Sequence, residues 1–348
     1  MTKKEFVKKI IEVIQADEDT AIVGISGCSY FKTEIGRKSS RDNHLRVYMM
    51  GGFIMGIPLG SASFTFLEKS YMKRDEQGSP LYFSSQNEMD LLEERKAKIT
   101  EIYDEKDYSE EALNKITEEI KEYLSLVRKC TQKKFGQLKA GNKADDEKKE
   151  RNYQMCLFKK MLLDNDKEYV LFDVEFQSIL EMNVDPDKIE KWAKEGHNFR
   201  EKYSEETENG VVKVKCGKPD FIAVDENGFV IIEFKSNKEA CAGGDADLSG
   251  HSKDFEQLIS NKGNLILINE LLERLRVMKE YKLINLSDKH SQMIEKVLNS
   301  NPCEINIDTK YILLTTSRNT KGIYLNIAKA QGCGKEKLLF VEESEIIN

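Results

Sequence analysis

No CxxC pair occurs in this chain, and its seven cysteines (28, 130, 156, 216, 241, 303 and 333) are scattered and odd in number. That pattern speaks against a structural zinc site or a disulfide framework and fits reduced thiols in a cytoplasmic protein. HExxH and a nucleophile elbow are absent too, which removes the zinc-protease and α/β-hydrolase readings. Gly332-Cys-Gly-Lys335 echoes the end of a phosphate loop, but the earlier glycine is missing and Glu336 stands where Ser or Thr is required. A basic excess is also lacking: 54 Lys and Arg face 61 Asp and Glu, a net charge of −7. Indiscriminate coating of nucleic acid by bulk charge is thereby excluded, while an enzyme using a local patch is not. The N-terminal lysines precede no continuous apolar core. Residues 1–20 therefore read as an amphipathic helix, with Phe6, Val7, Ile10, Ile11 and Ile14 on one face, and not as a signal peptide.

What is present is a folding composition, 39% hydrophobic and 33% charged, with length for about two domains. One stretch stands apart. Residues 47–67 carry no charge and could cross a bilayer. Their glycines and Pro58 suit a buried strand pair or helical hairpin better, so membrane association is not expected.

Charge is unevenly divided, with 24 basic and 23 acidic residues in 1–144 against 28 and 34 in 145–330. The shift gives four segments: an N-terminal α+β module (1–90), a helical segment with a basic linker (91–144), a main domain (145–330) and a C-terminal tail (331–348). Apolar residues recur at helical spacing from 88 to about 138. Between Tyr123 and Ala144 there are no acids. Arg128, Lys129, Lys133, Lys134 and Lys139 there form either a solvated face or a nucleic-acid contact. The main domain reads as helix 145–163, strand 169–179, an acidic insertion 180–217, strands 219–224 and 229–236 turned by Asn227-Gly228, helix 251–280, and strands 311–316 and 322–328.

The chemistry concentrates at 218–235. Side chains alternate along a strand, so Glu233 and Lys235 point the same way, and a tight hairpin brings Asp220 beside them. Paired carboxylates suit a hard cation such as Mg²⁺, and an adjacent lysine can position an attacking water or stabilise developing charge. On strand 170–177, alternation sets Asp173, Glu175 and Gln177 opposite Phe172, Val174 and Phe176; Glu175 either joins the acidic site or faces solvent.

Pro219-Asp220 followed by Glu233-Phe234-Lys235 at the end of an apolar strand resembles the signature of the PD-(D/E)XK nuclease superfamily. The resemblance covers roughly 145–330. It implies an α/β protein with a restriction-endonuclease-like core, a mixed sheet flanked by helices, to which the N-terminal α+β and helical region is an addition. It further implies Mg²⁺ or Mn²⁺ held by Asp220, Glu233 and the backbone carbonyl of Phe234, with Lys235 catalytic. Glu150 on the first helix would assist, with Glu147 as fallback. The activity so implied is metal-dependent hydrolysis of phosphodiester bonds, in DNA or alternatively RNA, in a restriction, repair or phage-defence setting. The rival is a non-catalytic nucleic-acid-binding or scaffolding protein on the same fold. A protein partner at the N-terminal region and a homodimer are further expectations. One departure is that Gln257 is followed four residues later by Asn261, where RecB-like members carry Tyr.

Overall fold

The computed structural model describes residues 1–26, 44–60, 62–67, 69–135, 146–163, 168–174, 179–182, 212–215, 219–237, 241, 248, 264–284, 286–316 and 318–347. The described residues divide into two units, one ending at Lys159 and the other beginning at Lys160. Helix α1 (Lys3–Gln15) opens the first. Thr2 and Glu5 form a capping box: the Thr2 hydroxyl accepts the Glu5 N–H at 3.3 Å, and the Glu5 carboxylate accepts the Thr2 N–H at 2.7 Å. Phe6, Val7, Ile10, Ile11 and Ile14 are buried, as their spacing requires.

Strands β1 (Thr20–Ser26), β2 (His44–Met49), β3 (Gly52–Pro58) and β4 (Thr65–Phe66) form an antiparallel sheet in that order. The uncharged stretch thus supplies strands. Its hairpin turns at Met50-Gly51, where φ is 49° and 84°, the two positive values a type I′ turn demands. Among the described residues no helix is long and apolar enough to cross a membrane. The helical region after residue 85 is two helices, α2 (Gln86–Asp104) and α3 (Glu110–Phe135), interrupted where Lys106 takes φ 58°. Buried Tyr123 of α3 donates to the Ile54 carbonyl at 2.5 Å, tying helix to sheet.

Helix α4 (Asp146–Leu163) contains the division between units. Then follow β5 (Val170–Val174), β6 (Ile179–Met182), β7 (Val212–Lys215), β8 (Phe221–Val224) and β9 (Gly228–Lys235). Next come α5 (Asn264–Glu280), α6 (Asp288–Asn299), β10 (Asn306–Thr315), α7 (Arg318–Ala330), β11 (Leu338–Glu342) and α8 (Glu343–Ile347). Strands β6 and β7 pair with each other. The others form a mixed sheet in the order β11-β10-β9-β8-β5, with β9, β10 and β11 parallel and β5, β8 and β9 an antiparallel meander. The resulting class is mixed α/β.

Three sequence expectations are corrected here. Residues 322–328 are helix α7 and not a strand: Tyr324 and Ala328, four apart, are the buried pair, packed with Tyr311, Leu313 and Leu338. Residues 331–348 do more than trail, because Leu338–Glu342 pairs with Tyr311–Thr315 as the edge strand. The β8–β9 turn is also shifted. Asp225 and Gly228 close it around Glu226-Asn227, and the Asp225 carboxylate accepts the N–H groups of Asn227 and Gly228 at 2.7 and 2.9 Å.

Candidate functional site

Every residue of β9 is buried, since this is the middle strand and both of its faces are covered. Paired residues of neighbouring strands share a face, and Ile222 pairs with Ile231, Val224 with Phe229. Glu233 and Lys235, two and four residues beyond Ile231, lie on that same face at the C-terminal end of β9. Asp220 precedes β8 by one residue and falls opposite Glu233. Its Oδ2 accepts the Phe234 backbone N–H at 2.8 Å. Lys235 Nζ donates to Glu233 Oε1 at 3.0 Å, with side chains 6% and 7% exposed. On the other side β10 sets Tyr311 beside Glu233 and Leu313 beside Lys235, and the Tyr311 hydroxyl donates to the Leu248 carbonyl at 3.1 Å. The structure thus brings Asp220, Glu233 and Lys235 together on one sheet face.

The remaining expected residues fare differently. Glu150 is half-buried on the part of α4 that belongs to the first unit, whereas the other three belong to the second. Glu175, Lys139 and the Glu147 side chain lie outside the described residues, as does Gln257. The basic residues of α3 bond within their own unit. Arg128 donates to Asp17 and Asp19 at 2.5 and 2.6 Å, Lys129 to Glu88 at 3.3 Å and Lys133 to the Phe83 carbonyl at 3.4 Å. Lys134 Nζ stands 3.7 Å from the Tyr71 ring centroid.

A second charged group is buried in the same sheet. Strand β5 carries a bulge: Leu171 pairs with Ala223, yet Asp173 pairs with Ile222. The expected alternation of Phe172 and Asp173 therefore fails. Phe172 packs on Phe229 at 5.9 Å between centroids, and Asp173 shares the Ile222 face. Asp173 Oδ2 accepts from Arg274 at 2.7 Å, and Arg274 also donates through Nε and a terminal nitrogen to Glu270 at 3.2 and 2.8 Å. Sequence reasoning missed Glu270 and Arg274. The available signal was an i, i+4 acid–base pair inside the apolar run Leu267, Ile268, Leu271, Leu272 and Leu275.

Among the described residues no group of three or more His, Cys, Asp and Glu side chains gathers as a metal site. Two carboxylates nevertheless fit Mg²⁺, which dehydrates reluctantly and is commonly held by one or two carboxylates together with water and substrate oxygens. Asp220 and Glu233 supply such hard donors. Compared with known proteins, the chain matches no family model, no curated protein and no solved structure.

Proposed function

We propose that the second unit is a metal-dependent nuclease on a restriction-endonuclease-like core, acting on DNA or alternatively RNA. The observation that carries this reading is the buried Glu233–Lys235 pair, 3.0 Å apart, with Asp220 alongside. A buried ion pair contributes little net stability, because desolvation costs several kcal/mol per ion, as an order of magnitude, and apolar residues of similar volume often serve as well. A lysine and an acid in the middle strand are therefore better explained by chemistry than by folding. The element order agrees with the family resemblance: helix, antiparallel meander, helix, then a strand parallel to the third.

Asp220 and Glu233 would hold Mg²⁺ or Mn²⁺, with the Phe234 carbonyl adding an oxygen. The cation would polarise the phosphodiester and offset its charge. Lys235 positions the attacking water and stabilises charge developing on the phosphoryl oxygens. The Phe234 N–H fixes the Asp220 carboxylate, so its orientation is set before substrate arrives.

Glu233→Ala and Lys235→Ala, assayed with Mg²⁺ on linear, nicked and single-stranded DNA and on RNA, test this proposal. Each variant should lose about 10²-fold or more of the cleavage rate. Undiminished cleavage by both removes these residues from the mechanism. A second reading, a non-catalytic nucleic-acid-binding or scaffolding protein, draws on the absence of a three-ligand cluster among the described residues. It predicts binding without cleavage in the wild type.

A further inference from the structure

Asp173, Glu270 and Arg274 have no part in the chemistry just proposed, yet they are 0%, 1% and 4% exposed. Both Asp173 oxygens are committed: Oδ1 accepts the Val174 N–H at 2.8 Å, and Oδ2 accepts from Arg274 at 2.7 Å. The β5 bulge turns this carboxylate onto the face of Ile222, Ile231 and Glu233. Asp173 pairs with Ile222, so Asp220, two residues earlier, is its diagonal neighbour, a separation on the order of 7–8 Å. Replacing such a buried group by apolar residues is often neutral or stabilising, so stability does not account for its presence.

We propose that Arg274 is a positioning residue for the carboxylate pair. By clamping Asp173 and Glu270 it fixes the bulged β5 against α5, which holds β8 and Asp220 in register with Glu233. This inference rests on reading Asp220 and Glu233 as a divalent-cation site. The planar guanidinium holds two carboxylates at once through separate donors, whereas an ammonium is a point charge without that fork. Arg274→Lys therefore keeps the charge and loses the geometry.

The test titrates the full-length chain with Mn²⁺ alone by calorimetry, and records thermal melting in parallel. Two variants are compared with wild type: Arg274→Lys, and the combined Asp173→Val, Glu270→Leu and Arg274→Met. The combined variant should melt at or above the wild-type temperature and yet bind Mn²⁺ about tenfold more weakly or worse, the range typical for loss of groups that orient metal ligands. Arg274→Lys should remain folded and bind several-fold more weakly. A folded combined variant with wild-type affinity overturns the proposal. If the combined variant does not fold, wild-type affinity in Arg274→Lys overturns it instead. Wild type failing to bind Mn²⁺ overturns the metal-site reading, and this inference with it; binding by wild type with unaffected variants overturns this inference alone.

Discussion

Glu233 and Lys235 occupy adjacent positions on one face of β9, and the period-two alternation of a strand is enough to say so from the sequence alone. Asp220 was legible for the same reason, through the hairpin that follows it. Asp173 was not, because a bulge adds a residue and breaks the alternation on which face assignment depends. Cys130 shows a residue-scale consequence of burial. Its thiol is fully enclosed by the first unit, and desolvation pushes its pKa up to about 12 from 9.0. Between those two values the unfolded chain releases a proton that the folded chain keeps. The thiol's contribution to stability is therefore present below pH 9.0 and lost as the pH rises toward about 12. Cys130→Ala should flatten that part of the alkaline melting curve. Alkylation at pH 8 followed by peptide mapping should label exposed Cys303 well before Cys130. Equal labelling rates in the folded protein would contradict the burial.

At the scale of elements, the β8–β9 hairpin was legible but its turn was misplaced. Asn227-Gly228 looks like a two-residue turn, yet Gly228 serves another purpose. It takes φ +150°, and a Cβ there would lie 2.1 Å from the Asn306 carbonyl oxygen on the neighbouring strand. The glycine lets β10 approach β9, while Asp225 organises the turn through its carboxylate. Gly228→Ala should accordingly cost roughly 2–4 kcal/mol by forcing β9 and β10 apart, and Asp225→Ala about 1–2 kcal/mol through two lost hydrogen bonds. Urea melts measure both; a Gly228→Ala midpoint equal to wild type would contradict the close approach. Helix α7 was misread because a short apolar run such as Ile323, Tyr324 and Leu325 suits either period, and only packing of Tyr324 and Ala328 decides it. The Glu270–Arg274 pair escaped for a related reason: helical spacing identifies an ion pair but not the strand that receives it.

For the whole molecule, the order helix, strands, hairpin, helix, strand could be read along the chain, because each element announces itself by length and period. Pairing between distant segments could not, as the edge strand Leu338–Glu342 illustrates. Nor could the fate of the basic run be read, since the partners of Arg128 at Asp17 and Asp19 lie more than a hundred residues away. The net charge of −7 takes on a different meaning with these contacts known. In the first unit Arg128, Lys129 and Lys133 are engaged by that unit's own carboxylates and a carbonyl, and in the second an acidic pair faces a lysine. A chain of this charge gains little from unaided contact with a polyanion, so the proposed function requires a cation at the carboxylates as intermediary. Binding of Mn²⁺ measured by electron paramagnetic resonance, on wild type and on the double variant Asp220→Asn, Glu233→Gln, tests that claim without requiring a substrate. Wild type should take up at least one ion and the double variant, still folded, should lose it; equal uptake by both would contradict a cation site at Asp220 and Glu233.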